Sequence, residues 1–315
     1  MDLNERAEQL CQRLVERADE LRIEVTTGEA GTRIIDCGVA AGGGLAAGLG
    51  LASVCMADLG TVELVPGDPW IWSGPAVAVA TDHPVAACMA AQYAGWQVTG
   101  ENFFGMGSGP MRAAAGREDL FDDIGHLEQP DVAVGVLETS QLPPAEVCVD
   151  IAAACRVPPD KLTLLVARTA SQAGTVQVVA RSVETACHKL HELGFHLSRL
   201  VSGYGVAPLP PVASEDLDGI GRTNDAVLYG ARVTLWVRGD DASLEAIGER
   251  VPSSASRDHG EPFATIFARY DHDFYAIDPH LFSPAWVSLN NLETGSCFEF
   301  GELRPDVLEA SFGGA

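Results

Sequence analysis

Patterns typical of strands and helices alternate in the middle of the chain, and this alternation restricts the fold most. Residues 131–137 and 162–167 are short apolar runs typical of buried strands, and residues 144–155 between them predict a helix. A further helix is predicted after Gly174. Its buried stripe consists of apolar residues that recur at helical spacing: Val176, Val179, Val183, Cys187 and Leu190. Two β–α units in succession indicate a layered α/β structure.

The length of the chain suits one large domain or two smaller ones, since it has 315 residues and 47% of them are hydrophobic. We expect two α/β domains with a boundary near residues 128–130. The N-terminal domain then consists of residues 1–128, joined by the C-terminal tail from about residue 271 to residue 315. Residues 129–270 form the second domain.

Other segments carry weaker patterns. The sequence predicts a helix over residues 2–21 and another over residues 84–94. It predicts a turn at residues 221–225, a long strand over residues 226–237 and a strand over residues 263–270.

The composition limits the possible partners and the cellular compartment. A formal net charge of -24 argues against nucleic acid or an anionic membrane as the main partner. No apolar run is long and uninterrupted enough to predict a membrane span. The eight cysteines are scattered and never form CxxC, which is typical of reduced thiols in a cytoplasmic protein.

Arg181 and Glu184 lie three residues apart on the helix predicted after Gly174, so their side chains share one face. One interpretation is a solvated ion pair worth roughly 0.2–0.5 kcal/mol. The other is a general base that a fixed cation keeps ionised in a pocket without water. The pattern alone favours the first, because such pairs are common on helix faces.

Residues 103–112 (FFGMGSGPMR) form a glycine-rich segment. Gly105, Gly107 and Gly109 would let backbone N–H groups face a ligand, and Pro110 predicts the start of a helix. The segment lacks the Lys-Ser/Thr of a P-loop and does not fit GxGxxG. On these residues alone, a structural turn and a ligand-facing loop both stay open.

The sequence lacks the common signatures of metal, nucleophilic and redox enzymes. His188 and His191 lie near Glu192, but they have neither HExxH spacing nor a second cluster, so we assign no metal. Neither a GxSxG motif nor a Rossmann fingerprint occurs.

Six segments together carry a resemblance that covers the chain from about Gly31 to its end. They are residues 92–96 (QYAGW), 104–115 (FGMGSGPMRAAA), 173–195 (AGTVQVVARSVETACHKLHELGF), 223–230 (TNDAVLYG), 277–285 (IDPHLFSPA) and 311–313 (SFG). In this order they resemble the methenyltetrahydromethanopterin cyclohydrolase family. The resemblance implies two α/β domains with a substrate cleft between them, a homotrimer, and no cofactor besides the pterin substrate.

The resemblance also implies a set of site residues. In the family an Arg-x-x-Glu on a helix lines the pterin cleft, and its Glu is taken as the catalytic carboxylate; the matching positions are Arg181 and Glu184. Arg112 matches a position that we expect to meet an anionic group on the pterin tail. The full set of implied substrate-binding residues is Gly105, Gly107, Ser108, Gly109, Arg112, Asn224, Asp225 and Tyr229.

The family reaction is the reversible hydrolysis of methenyltetrahydromethanopterin to the formyl derivative in one-carbon metabolism. Its substrate carries an amidinium-like carbon that is already electrophilic, so the reaction needs a positioned water and a proton carrier. We expect Glu184 to act as base and then as acid, with Arg181 holding its carboxylate. Two alternatives stay open: a related pterin- or folate-processing enzyme, and a non-catalytic pterin-binding or carrier protein.

Overall fold

The computed structural model describes residues 2–313, with the side chain of Tyr275 left out. The strands are β1 (Glu24–Thr27), β2 (Arg33–Gly38), β3 (Thr61–Pro66), β4 (Pro75–Thr81), β5 (Trp96–Gly100), β6 (Phe103–Ser108), β7 (Ala133–Glu138), β8 (Leu162–Ala167), β9 (Leu200–Pro208), β10 (Arg232–Val237), β11 (Trp286–Asn291) and β12 (Cys297–Gly301).

Helices connect these strands and flank the sheets. The α-helices are α1 (Leu3–Glu16), α2 (Ala18–Leu21), α3 (Leu45–Cys55), α4 (Met111–Ala115), α5 (Leu120–Ile124), α6 (Ala145–Ala154), α7 (Gln172–Val179), α8 (Ser182–Glu192), α9 (Asp216–Gly230), α10 (Asp241–Gly248), α11 (Phe263–Arg269) and α12 (Pro305–Phe312). Val85–Gln92 is a π-helix. Short 3₁₀ helices are Pro159–Lys161, Leu197–Arg199, Ser253–Ala255, Phe274–Ala276 and Pro279–Leu281. No helix in the described residues is long and apolar enough to cross a membrane.

The chain divides into two compact units. The first unit consists of Met1–Gly60 with Ala86–Gln177, and the second consists of Thr61–Val85 with Val178–Ala315. This division differs from the boundary expected near residues 128–130. The reason is strand pairing, because β7 and β8 join the sheet of β2 and β6, whereas β11 and β12 join the sheet of β10.

The first unit is built on a six-stranded mixed sheet with the order β1-β2-β8-β7-β6-β5. β2, β8 and β7 are parallel, and the remaining neighbours are antiparallel. Apolar clusters cover both faces: α4 and α6 contribute to one, and α1 and α3 to the other. β8 is buried along its whole length because it lies between these layers.

The second unit has a six-stranded sheet with the order β12-β11-β10-β9-β4-β3. β10 and β11 are parallel, and every other neighbouring pair is antiparallel. α8 packs against β9 and β10, while α9 packs against α11 and α12. The protein is therefore an α/β protein with a mixed sheet in each unit.

The predicted alternation in the middle of the chain is confirmed. The strands predicted at residues 131–137 and 162–167 are β7 and β8, and the helix between them is α6. The single helix expected after Gly174 is instead two helices, since α7 ends at Val179 and α8 begins at Ser182.

Two strand predictions are wrong. Residues 221–230 continue helix α9, and only the part from Arg232 onward is a strand. A glycine suits position 221 of α9 because α11 passes close to it. An added Cβ would stand 3.1 Å from Ala264 Cβ. The strand predicted at residues 263–270 is helix α11, whose Phe263, Ile266 and Phe267 bury one face at helical spacing.

Candidate functional site

Arg181 and Glu184 lie at the beginning of α8. Arg181 is the N-cap residue of this helix, and Glu184 stands in its first turn. Arg181 is 7% exposed and Glu184 is 4% exposed, so neither lies on a solvated helix face. The first turn of a helix offers N–H groups without intrahelical partners, and the helix dipole favours negative charge there. Glu184 therefore stands at the end of α8 where the helix dipole favours a negative charge.

Glycines of β9 let the first turn of α8 lie directly on the sheet. An added Cβ at Gly203 would stand 2.6 Å from Val183 Cγ1, and one at Gly205 would stand 2.4 Å from Ser182 Oγ. Larger residues at either position would push the helix outward. The close packing fixes the backbone on which Glu184 is carried.

Most of the glycine-rich segment is a strand, which is neither the structural turn nor the ligand-facing loop that its glycines suggested. Residues 103–108 form β6, and Gly107 pairs with Trp96 of β5 and Leu137 of β7. An added Cβ at Gly107 would stand 2.8 Å from Met111 Cε, which indicates a close-packing role on this face. Within the segment, only Gly109 has a positive φ, +88°, and its N–H donates to Ala91 O at 2.8 Å.

Gly105 and Ser108 lie on opposite faces of β6. An added Cβ at Gly105 would stand 3.3 Å from Thr139 Cβ. Ser108 is buried; its Oγ lies 3.6 Å from Cys55 Sγ and 3.5 Å from Val136 O. These contacts pack β6 inside the first unit.

Arg112 is 1% exposed, and its guanidinium is engaged within the first unit. Both carboxylate oxygens of Glu118 accept hydrogen bonds from it, Nε donating at 2.8 Å, and Nη1 donates to Met89 O at 2.8 Å. The guanidinium also lies over the Tyr93 and Phe121 rings. Glu118 thus pairs with the Arg112 cation inside the first unit, and the contact of Arg112 with an anionic group of the pterin stays a prediction.

The three implied residues of α9 differ in environment. Asn224 is partly buried, and its Nδ2 donates to Ile220 O at 2.9 Å. Asp225 is fully buried, and its Oδ1 accepts a hydrogen bond from the Phe263 N–H at 2.8 Å. Tyr229 is also fully buried; its hydroxyl donates to Glu261 O and accepts from Gly260 N–H. Asp225 and Tyr229 thus tie α9 to residues 260–263.

Burial raises the pKa of Asp225 from 3.8 to about 7, while the nearby Ser311 hydroxyl and the Phe263 N–H act in the opposite direction. A carboxyl with a raised native pKa stabilises the fold below its unfolded pKa, and this contribution is lost as pH rises to about 7. Asp225→Asn keeps an acceptor for Phe263 and removes the titration. We expect the wild-type free energy of unfolding to fall relative to the variant by up to about 1.4 kcal/mol per pH unit between roughly pH 4 and 7.

Denaturant unfolding of both proteins at several pH values measures this difference in the free energy of unfolding. The contributions of the other titrating groups are the same in both proteins and cancel. Curves that stay parallel from pH 5 to pH 8 would show that Asp225 does not titrate in this range.

A carboxylate that sequence reasoning missed lies at the carboxyl end of β7. Glu138 lines a narrow pocket with almost no free space inside, whose other walls are mainly apolar and are formed by Leu51, Val136, Leu137, Ala167, Gly174 and Gln177. Its Oε1 accepts a hydrogen bond from the hydroxyl of Thr169, which follows β8. The carboxyl ends of parallel strands are a common place for ligand sites in α/β proteins. The signal in the sequence was that Glu138 ends one buried strand and Thr169 lies two residues after the end of the next.

Comparison with known proteins identifies the family. The family model described as "Cyclohydrolase (MCH)" matches residues 2–312. A methenyltetrahydromethanopterin cyclohydrolase of Rhodopirellula baltica is 49% identical over 290 residues, covering 90% of this chain and 87% of that protein. The chain belongs to the methenyltetrahydromethanopterin cyclohydrolase family. Further relatives of that name are those of Xanthobacter autotrophicus, 46% identical with coverages of 97% and 90%, and Methanosarcina barkeri, 41% identical with coverages of 99% and 98%.

The residues implied by resemblance to this cyclohydrolase family fall into three groups. The first unit carries those on β6 and at α4: Gly105, Gly107, Ser108, Gly109 and Arg112. The second unit carries Arg181 and Glu184 at the beginning of α8, and Asn224, Asp225 and Tyr229 on α9. Among the residues that the structure describes, no group of three His, Cys, Asp or Glu side chains is arranged to hold a metal ion.

Proposed function

We propose that this protein catalyses the reversible hydrolysis of methenyltetrahydromethanopterin to formyltetrahydromethanopterin. Family membership over residues 2–312 supports the reaction class, and so does a relative with this printed name that is 49% identical. The observation that carries the proposal is the burial of Arg181 and Glu184 at the first turn of α8. A buried carboxylate beside an arginine is better placed to transfer a proton to a ligand than to keep the protein surface hydrated.

Glu184 is the proton carrier in this proposal. A water molecule attacks the amidinium carbon, a C–O bond forms, and Glu184 takes one proton from that water. As the C–N bond breaks, the ring nitrogen takes the proton from Glu184, and the former water oxygen loses its second proton and becomes the formyl oxygen. The sum is one water consumed and one proton released to solvent for each cation hydrolysed.

Arg181 holds the Glu184 carboxylate in this proposal. Its position immediately before α8 places a permanent cation at the helix end where the carboxylate is needed. A guanidinium keeps its charge at any working pH, so it favours the ionised base throughout the reaction. The cationic substrate favours the ionised form of Glu184 in the same way.

The substrate-binding group that we propose includes the β6 residues Gly105, Gly107 and Ser108, together with Gly109 and Asn224. Arg112, Asp225 and Tyr229 belong to the same proposed substrate-binding group. We also propose a cytoplasmic homotrimer that needs no cofactor. The chemistry supports the last point, because the amidinium carbon is electrophilic without activation.

The test is the loss of near-ultraviolet absorbance when the purified protein meets methenyltetrahydromethanopterin, with methenyltetrahydrofolate run in parallel. We expect fast loss with the methanopterin derivative and little acceleration with the folate. Equal or faster hydrolysis of the folate would instead assign the protein to folate processing.

A further inference from the structure

The sheet of the first unit has a face that is exposed at one side. Strand register places Met106 opposite both Gln97 and Glu138, so these three side chains share a face. Phe104 lies on the same face and is 56% exposed, and Thr99 opposite it is also exposed. Further along the sheet, residues of α1 and α3 cover this face over β2, β8 and β7. Glu138 therefore stands where the covered part of the face gives way to the exposed part.

The surroundings of Glu138 hold its carboxylate in one place. The Thr169 hydroxyl donates to Oε1, and Thr169 is itself 3% exposed. The backbone oxygen of Thr169 accepts a hydrogen bond from Thr175 Oγ1 at 3.1 Å, which ties it to α7. Because a hydroxyl donor is neutral, Thr169 places no opposite charge beside the carboxylate.

Glu138 is only half-buried, and in residues 2–313 no Lys or Arg forms an ion pair with it. The pocket that it lines has apolar walls from Leu51, Val136 and Ala167. A carboxylate at an apolar wall attracts a cation more strongly than one in open water, because the local dielectric is lower. Because this pocket has almost no free space inside, a cation would meet the Glu138 carboxylate from its exposed side.

We propose that Glu138 is the counter-ion that recognises the positive charge of the methenyl form of the substrate. This inference rests on the proposed function and adds a residue that distinguishes the two sides of the reaction. The methenyl compound carries a delocalised cation in its five-membered ring, whereas the formyl compound is neutral there. A fixed carboxylate binds the first more tightly than the second, and the exposed Phe104 face offers a flat apolar surface beside it.

The experiment compares binding of a charged and a neutral ligand in the full-length protein. The Glu184→Gln background slows turnover, so dissociation constants can be measured by fluorescence or calorimetry. The charged probe is methenyltetrahydromethanopterin, and the neutral probe is tetrahydromethanopterin without a one-carbon group. Adding Glu138→Gln is expected to weaken binding of the cation about tenfold, while binding of the neutral probe changes less than about twofold.

Glu146→Gln in the same background is the matched control, because Glu146 is an exposed carboxylate of the same unit. It is expected to leave both dissociation constants unchanged. Equal weakening of both probes by Glu138→Gln, or no weakening of either, would overturn the proposal.

A second variant guards against a folding defect. Thr169→Val removes the hydroxyl that orients Glu138 and keeps the charge, so it is expected to give a smaller loss that is also selective for the cation. A loss that is equal for both probes would again overturn the proposal. Binding and turnover are measured separately. A wild-type protein that binds the cation without hydrolysing it would contradict the proposed function but not the role of Glu138 in binding the cation.

Discussion

Glu184→Gln is expected to lower turnover by roughly 10²–10⁴-fold while the protein stays folded, because this is the usual contribution of general acid–base catalysis. Gln has nearly the shape of Glu and can accept hydrogen bonds from the first turn of α8, but it cannot take a proton from water. The measurement is kcat for hydrolysis of the methenyl compound, with circular dichroism to check the fold. Near-normal turnover would remove Glu184 from its assigned role.

The matched control for this prediction lies on the same helix. Glu192 is an exposed carboxylate at the end of α8. Glu192→Gln changes the net charge by the same amount and is expected to leave kcat unchanged. A similar loss in both variants would point to the overall charge of the protein instead of to general base catalysis.

Arg181→Lys is expected to lower kcat by roughly 10²-fold, as a small misplacement of a catalytic group can do. Lys keeps the positive charge but has no planar fork to hold a carboxylate in one orientation. The loss should appear mainly in kcat, because the base is displaced while other substrate contacts stay.

Arg238→Lys serves as its control, since Arg238 is an exposed arginine of the same unit and its replacement should have no effect. Unchanged activity in Arg181→Lys would show that the guanidinium does not orient the base.

Local pattern was sufficient for the middle of the chain. β7, α6 and β8 follow from the apolar pattern of the sequence, because each of them buries most of one face or its whole length. The prediction for residues 221–230 was wrong because glycine and asparagine favour turns. In the structure, the close packing of α9 on α11 and α12 stabilises a helix instead. Such long-range packing leaves no periodic signal.

The candidate site was only partly predictable. The spacing of Arg181 and Glu184 placed them on one helix face, but their burial at the start of a separate helix depends on the break at residues 180–181. The ion pair between Arg112 and Glu118 could not be predicted from the sequence, because several acidic residues follow Arg112 along the chain. Glu138 was missed because strand register, not spacing along the chain, brings it beside Met106.

The central claim is tested most directly by the hydrolysis rate of methenyltetrahydromethanopterin with the purified wild-type protein, with a chelator present and no nucleotide added. We predict rapid loss of the near-ultraviolet absorbance and formation of the formyl compound. Tight binding of the substrate without any acceleration of its hydrolysis would contradict this prediction and indicate a pterin carrier.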